Sequence, residues 1–437
     1  MKRLNRILIG VVCTVLLAVS WVIAVSAKSI PSRQLELIAQ ADALICDGIF
    51  IRAVPFLEEA AGYDAKHTLT AEAKLKEVYV ALKNTPGFRR KYIDLLDKQM
   101  DRKDSSPDVY YEAASYYLNV SKTADALTVL KNGIEKTGAG QLITLYEDVR
   151  YAFKYNRTSY DHVTAISGIA AQVLRNGLWG VVMSDGTSMI PCEYEKISTF
   201  SGNRCIAQKD GEIFAVDSNN NRIAKLSIAA DDFGNLSEDR IPLKLNGGWQ
   251  RSNGEFVLGS TVFEQLGMYS SGAVAAKSGG MWGVVDIGTT WLIAAEYDEI
   301  ILDELGRCYA QNAAFARKGT SVYLIAGGER LSGIYEDAHP FSDEGYAAVK
   351  LDGKWGFIDT SGNTVIDFIY DDALSFGQHL AAVKLGEQWG YISKYGKIVI
   401  EPIFSEAKSF SCGSAPVLTS RGWQFITLIE FMKGASI

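Results

Sequence analysis

The chain has 437 residues, 48% of them hydrophobic and 22% charged, with a formal net charge of −7. That hydrophobic share excludes an intrinsically disordered polymer, and the length allows two or three folded domains. The first 27 residues hold three basic and no acidic side chains, so the remainder is formally −10, a balance that argues against nucleic acid and an anionic lipid surface as partners.

At the N-terminus Lys2, Arg3 and Arg6 precede an apolar run from Ile7 to Ala27. About 20 apolar residues span a bilayer, whereas the apolar part of a signal peptide is usually about 7–15 residues long. Residues 1–28 therefore read as a signal anchor: a single-pass helix inserted through residues 7–27, with the bulk of the chain extracytoplasmic at the cell membrane. The alternative is a secretory signal cleaved near Ala27, after the small residues Val25-Ser26-Ala27. Cys13 lies inside this run, while Cys46, Cys192, Cys205, Cys308 and Cys412 are scattered, without the short paired spacings of a zinc site or a disulfide framework. They read as buried thiols, with Cys192 and Cys205 the one pair whose spacing allows a bridge.

From 29 to 157 the pattern is helical. Leu37, Ala41 and Leu44 are followed by Ala53, Leu57 and Ala60; downstream Tyr110, Ala114 and Tyr117 precede Ala126, Leu130 and Gly133. Small residues at such spacings let paired helices approach closely. A weaker middle copy runs Leu75, Val78, Leu82, then Lys91 and Leu95, so Ala53, Lys91 and Ala126 become equivalent points, and Leu142 to Phe153 reads as a final helix. The segment resembles the tetratricopeptide repeat, a helix-turn-helix unit of about 34 residues. It departs at Lys91 and at Ala41 and Ala114, which replace a glycine. The resemblance implies a protein-contact surface; a helical spacer is the plainer reading.

Between 158 and 430 the pattern becomes β-like and periodic. Trp179-Gly180, Trp282-Gly283, Trp355-Gly356 and Trp389-Gly390 recur, and Phe214, Trp249, Tyr323 and Trp423 hold the same position in weaker units, with a single long step of 41 residues between Trp282 and Tyr323. Eight units result. Each shows short apolar stretches bounded by Gly, Asp, Asn or Lys, which predicts three short antiparallel strands per unit. Within Trp355-Gly356-Phe357-Ile358-Asp359, alternation puts Trp355 and Phe357 on one face, and the recurring glycine marks a close approach by a neighbouring backbone or ring. The tryptophans then serve as packing between units.

Lys354-Trp355-Gly356-Phe357-Ile358-Asp359-Thr360-Ser361-Gly362 resembles the signature of the bacterial WG-repeat family. The resemblance implies an exported binding protein and brings no catalytic motif with it. The fold expected for the whole chain is α+β and multidomain: a transmembrane or signal helix, an α-helical hairpin stack, a C-terminal all-β repeat domain and a short tail over 431–437. Closure of eight units into a β-propeller is favoured, with an open β superhelix as the alternative.

The chemistry offered is sparse. His162, His339 and His379 fall at different offsets in their repeats, His67 lies outside them, and no nucleophile-base, metal or phosphate-loop motif is present, so catalytic, cofactor and metal residues are all read as none. Carboxylates recur in register: Glu195, Asp298, Glu336 and Asp371, with Glu299, Asp337, Asp372 and Glu406 one residue on. They read first as turn caps; pointed inward, they would form an acidic channel for a cation or a basic peptide. Asp298, Asp337 and Asp371 are accordingly candidate binding residues, together with Trp249, Trp291 and Trp423. These readings combine as a non-catalytic extracytoplasmic scaffold holding a protein partner at the cell envelope. The rival readings are a carbohydrate or wall-polymer binder and an enzyme with an unrecognised site.

Overall fold

The computed structural model describes residues 29–225, 230–254 and 256–432. They form two compact units that divide between Tyr146 and Glu147.

The first unit is helical. Helix α1 (29–46) leads to α2 (Phe50–Gly62), α3 (Thr68–Ala81), α4 (Phe88–Met100), α5 (Pro107–Asn119), α6 (Thr123–Thr137) and α7 (Gly140–Val149). The predicted small residues lie at the centre of the packing: Ala41, Ala53, Ala60, Ala114 and Ala126 are fully buried. Lys91 is displaced from the role the repeat alignment gave it. It is exposed and pairs with Glu58 at 2.7 Å, and Tyr92 is the buried side chain instead. Between α3 and α4 the small-residue contact is replaced by a buried carboxylate, Glu72, which accepts hydrogen bonds from Gln99 Nε2 at 2.9 Å and the Arg102 guanidinium at 2.5 Å. The last helix ends at Val149 rather than Phe153, and Phe153 opens a strand.

The second unit contains eight antiparallel sheets arranged as blades: 162–194, 196–225, 232–252, 265–297, 299–335, 337–370, 372–404, and 406–428 joined by Phe153–Tyr155. Most blades have four strands, one more than the sequence predicts, because each opens with a two-residue strand such as Asp372–Ala373 that is too short to show periodicity. Every large core cluster joins neighbouring blades. Trp355 and Phe357 pack with Ala373, Phe376 and Val383 of the next blade, while Ile358 faces Phe315 and Val322 of the preceding one. The predicted alternation and the packing role of the tryptophan are both present.

Blade 8 closes the ring. Its outer strand is Phe153–Tyr155, paired antiparallel with Leu428, Thr427 and Ile426, and Tyr160, just before blade 1, exchanges backbone hydrogen bonds with Trp423 of blade 8 at 2.9 and 3.0 Å. The unit is an eight-bladed β-propeller, and the open superhelix is set aside. The boundary drawn at residue 157 falls inside it. Among the described residues no helix is long and apolar enough to cross a membrane, which overturns the expected single-pass location; the run 7–27 on which that expectation rested lies outside the described residues.

Candidate functional site at the propeller axis

The repeated carboxylates divide into two sets with different work. Asp161, Glu195, Glu264, Asp298, Glu336 and Asp371 each accept a backbone N–H from the turn between the second and third strands of their own blade, as Asp298 does from Gly319 and Asp371 from Gly386, both at 2.7 Å. Asp298 and Asp371 are therefore turn caps, and the Lys354 ammonium, with the Gly386 N–H next, holds Asp371 below the usual carboxylate range.

The second set opens the innermost strands: Asp232, Glu299, Asp337, Asp372 and Glu406. The strand register places a cation opposite four of them, Lys244, Arg317, Lys350 and Lys384 respectively for the first four. Arg317 bridges Glu299 at 2.8 Å and Asp337 at 3.0 Å, and Lys196 reaches Asp232 at 2.5 Å. Asp232, Glu299 and Asp337 are thus ion-paired, and Asp372 has a lysine across the strand pair. The opposing cations were visible in the sequence as a Lys or Arg shortly before each turn, but only the strand pairing shows that they face the carboxylates.

The three candidate tryptophans do not converge. Trp423 is buried at 5% exposure against blade 1, Trp291 begins the outer strand of blade 4 at 39% exposure, and half-buried Trp249 in blade 3 is bridged to Phe263, whose ring also meets Trp291 edge-on at 6.3 Å. The signature pairs are structural: Trp355 and Trp389 are buried, Trp179 and Trp282 half-buried, and Gly180, Gly283, Gly356 and Gly390 are buried beside them.

What does converge are the loops between first and second strands. They have six or seven residues in seven blades and twelve, Ile301–Asn312, in blade 5. The extra residues account for the 41-residue step in the repeat. They cross the axis: Leu305 O accepts from Asn235 Nδ2 of blade 3 at 2.9 Å, Gly306 O accepts from Met268 N of blade 4 at 2.7 Å, and the Glu304 carboxylate takes the Ala165 N–H of blade 1 and the Lys408 ammonium of blade 8. Gly267 makes room for this crossing, since a Cβ there would stand 2.6 Å from the Gly306 carbonyl oxygen. Asn235 pins the crossing from below by also accepting the Thr199 N–H at 3.0 Å and Gln172 Nε2 at 3.2 Å. Contacts among blades 1, 2, 3, 4, 5 and 8 show that these loops surround the axis.

Beside the crossing segment lies a cavity of about 380 Å³, lined by loops of blades 1 and 4–8. Its walls mix aromatic residues, Tyr309, Phe341, Phe376 and Phe410, with Asp303, Arg307, His339 and Lys408. Such a volume and mixture lie within the range of binding sites, about 300–1,000 Å³. His339 stacks on Trp355 at 5.0 Å, and burial lowers its pKa against the raising influence of Asp372, Asp337 and Asp303. His162 sits between Trp179 and Trp423, lowered by burial and by Lys408. The buried thiols of Cys205 and Cys308 are pushed up to about 12 by burial, which keeps them protonated, and Cys192 and Cys205 are not joined.

The fold and this axial cavity define the protein as a closed eight-bladed propeller whose axis is crossed by its own blade 5 loop. The profile of the WG containing repeat matches residues 179–212, 326–355, 355–389 and 389–420, a minority of the chain, and the first and the last two matches begin at a tryptophan of the series. No curated protein matches the chain. Among solved structures, Kluyveromyces lactis Hsv2 is similar at 11% identity and a TM-score of 0.35, over 61% of this chain and 100% of that one. A eukaryotic initiation factor is similar at 12% and 0.39, over 64% and 88%, and the Neurospora crassa Pan2 WD40 domain at 8% and 0.33, over 61% and 88%.

Proposed function

We propose that this chain is a non-catalytic binding scaffold that holds a protein partner at the loop-bearing end of its propeller axis. The observation that carries this reading is the convergence of loops from six blades on one cavity with aromatic walls and a few placed charges. One further feature supports it. The helical unit, three hairpins followed by a seventh helix, fits the tetratricopeptide-like reading and would supply a second protein-contact surface.

The test is site-specific photocrosslinking in the cells that make the protein. A photoreactive side chain replaces either Asp343, exposed beside the cavity, or Asp352, exposed on a turn at the opposite end of the same blade. Protein adducts from position 343 and none from 352 are expected. Equal labelling from both, or none from 343, would overturn the assignment of this end as the binding face.

A further inference from the structure

The segment that crosses the axis carries a ligand-like group. One Glu304 oxygen takes the Ala165 N–H and the other the Lys408 ammonium, so the carboxylate is held by donors from two other blades. Neither donor depends on the insertion: Ala165 and Lys408 sit on six-residue loops of blades 1 and 8 that resemble the loops of their neighbours. Lys408 is oriented from outside the insertion as well, with its ammonium 5.2 Å from the centre of the Trp423 ring. Blades 8 and 1 therefore build a two-donor carboxylate receptor, and blade 5 fills it from within. Solvent reaches the contact, since the Lys408 and Glu304 side chains remain 17% and 30% exposed. On the cavity side Arg307 spends only its Nε on Asp303, at 2.7 Å, and its terminal nitrogens have no partner among the described residues.

We infer that this receptor binds a glutamate or aspartate side chain from an acidic segment of the partner, which takes Lys408 and the Ala165 N–H over from Glu304. The inference rests on the protein-binding reading above and names the chemistry of the partner. A paired ammonium with a backbone N–H recognises a carboxylate by charge-assisted hydrogen bonds. The adjoining guanidinium accommodates a second acidic residue, and the cavity is wide enough for more than one side chain. Glu304 then acts as a tethered competitor. A group on a short loop has an effective local concentration on the order of millimolar, so an external carboxylate binds the wild-type protein more weakly than it would bind an emptied receptor.

The experiment measures anisotropy of a fluorescein-labelled hexaglutamate peptide titrated with the full chain, its Glu304→Ala variant, and the Glu304→Ala/Lys408→Ala double variant. Tighter binding to Glu304→Ala than to wild type by about ten-fold or more is expected, with return to weak binding in the double variant and no binding of hexaglutamine. Equal affinity of wild type and Glu304→Ala would overturn the inference, as would tight binding that survives loss of Lys408. Glu304→Gln keeps an acceptor for the Ala165 N–H and removes the charge. If it melts like the wild type and also binds hexaglutamate more tightly, the gain is release of the competitor and not loosening of the fold; a gain absent from Glu304→Gln would overturn the inference. Free glutarate that competes as strongly as unlabelled hexaglutamate would overturn the assignment to a peptide. Failure of hexaglutamate in every variant, alongside crosslinks confined to position 343, would remove the acidic-segment chemistry and leave the axial binding face standing.

Discussion

Opposite each glycine of the four Trp-Gly pairs, the outer strand carries three residues where an even ladder has one. Trp389 pairs with Phe404 and Tyr391 with Ile400, so residues 401–403 all stand across from Gly390, and the same shift recurs at Gly180, Gly283 and Gly356. The bulged backbone passes so near that a Cβ on Gly390 would lie 2.5 Å from the Ile400 carbonyl oxygen and 2.7 Å from the Pro402 nitrogen. In blade 2 Ala215 follows Phe214, and there the outer strand pairs evenly, Phe214 with Lys225 and Ala215 with Ala224; blade 5 carries the three-residue excess opposite Leu324, so it is the close approach at Gly390 and not the excess alone that demands a glycine. The sequence made the close approach legible through a glycine in a strand interior, but it left open whether a backbone or a ring approached, since both exclude a side chain. Gly390→Ala should therefore lower the melting stability of the propeller by about 1–3 kcal/mol, the usual range for forcing an atom into a packed site. Ala215→Gly should cost less, about 0.5–1 kcal/mol, from backbone entropy alone. Calorimetry of both variants checks this, and an unchanged transition in Gly390→Ala would refute the steric account.

Two elements set how the ring is closed and how its axis is filled, and their legibility differs. The blade 5 insertion was visible as the one long step of the repeat, because a constant period makes twelve residues in place of six stand out. Its destination was not visible: Glu304 meets Lys408 and Ala165 only after the chain has gone round the ring, and nothing local to any of these residues marks the meeting. Asn235, which ties blade 3 to blades 1, 2 and 5, was missed for the same reason. The closing strand Phe153–Tyr155 was hidden differently. Three residues are too few to show alternation, and they follow a helix directly, so they were absorbed into the helical segment even though the last repeat lacked a strand. Phe153 packs on Phe404, and the backbone of this strand covers an edge that blade 8 would otherwise expose. A fragment of residues 147–437 should fold as a monomer, whereas 158–437 should melt lower by about 2 kcal/mol or more, given that losing a packed phenylalanine alone costs about 3–5 kcal/mol when it is fully buried. It should also self-associate through the bared edge. Size-exclusion chromatography with thermal melts of the two fragments decides the point, and identical behaviour would show that Phe153–Tyr155 contributes nothing to closure.

A closed ring shares its stability among interfaces, since each blade buries its faces only against two neighbours, and the weakest blade sets where the ring opens. Blade 3 is the exception in the sheet pattern, with three strands over 232–252 where the others have four. Its third strand, Gly248–Ser252, meets the following chain only at the isolated bridges Trp249 with Phe263 and Ser252 with Val257. This is also where the repeat signature is thinnest, because Trp249 lacks its glycine. Among the described residues the chain from Val257 to Phe263 touches the third strand at those two bridges without forming a regular strand, so the degenerate stretch of sequence coincides with a physical weak point. In blade 7, by contrast, the third strand Gln388–Ser393 is paired along both edges and its Tyr391 is fully buried beneath Phe404 and Phe410. Hydrogen exchange of the intact protein should accordingly show the amides of Gly248–Ser252 exchanging about ten-fold or more faster than those of Gln388–Ser393, a difference corresponding to about 1.4 kcal/mol in local opening. Because Lys244–Leu245 and the Asn235 pin lie in the same blade, opening there would also loosen the axis from the side facing Leu305. Equal protection of the two strands would mean that the ring opens as a single cooperative unit, and that the missing strand of blade 3 is fully compensated by its neighbours.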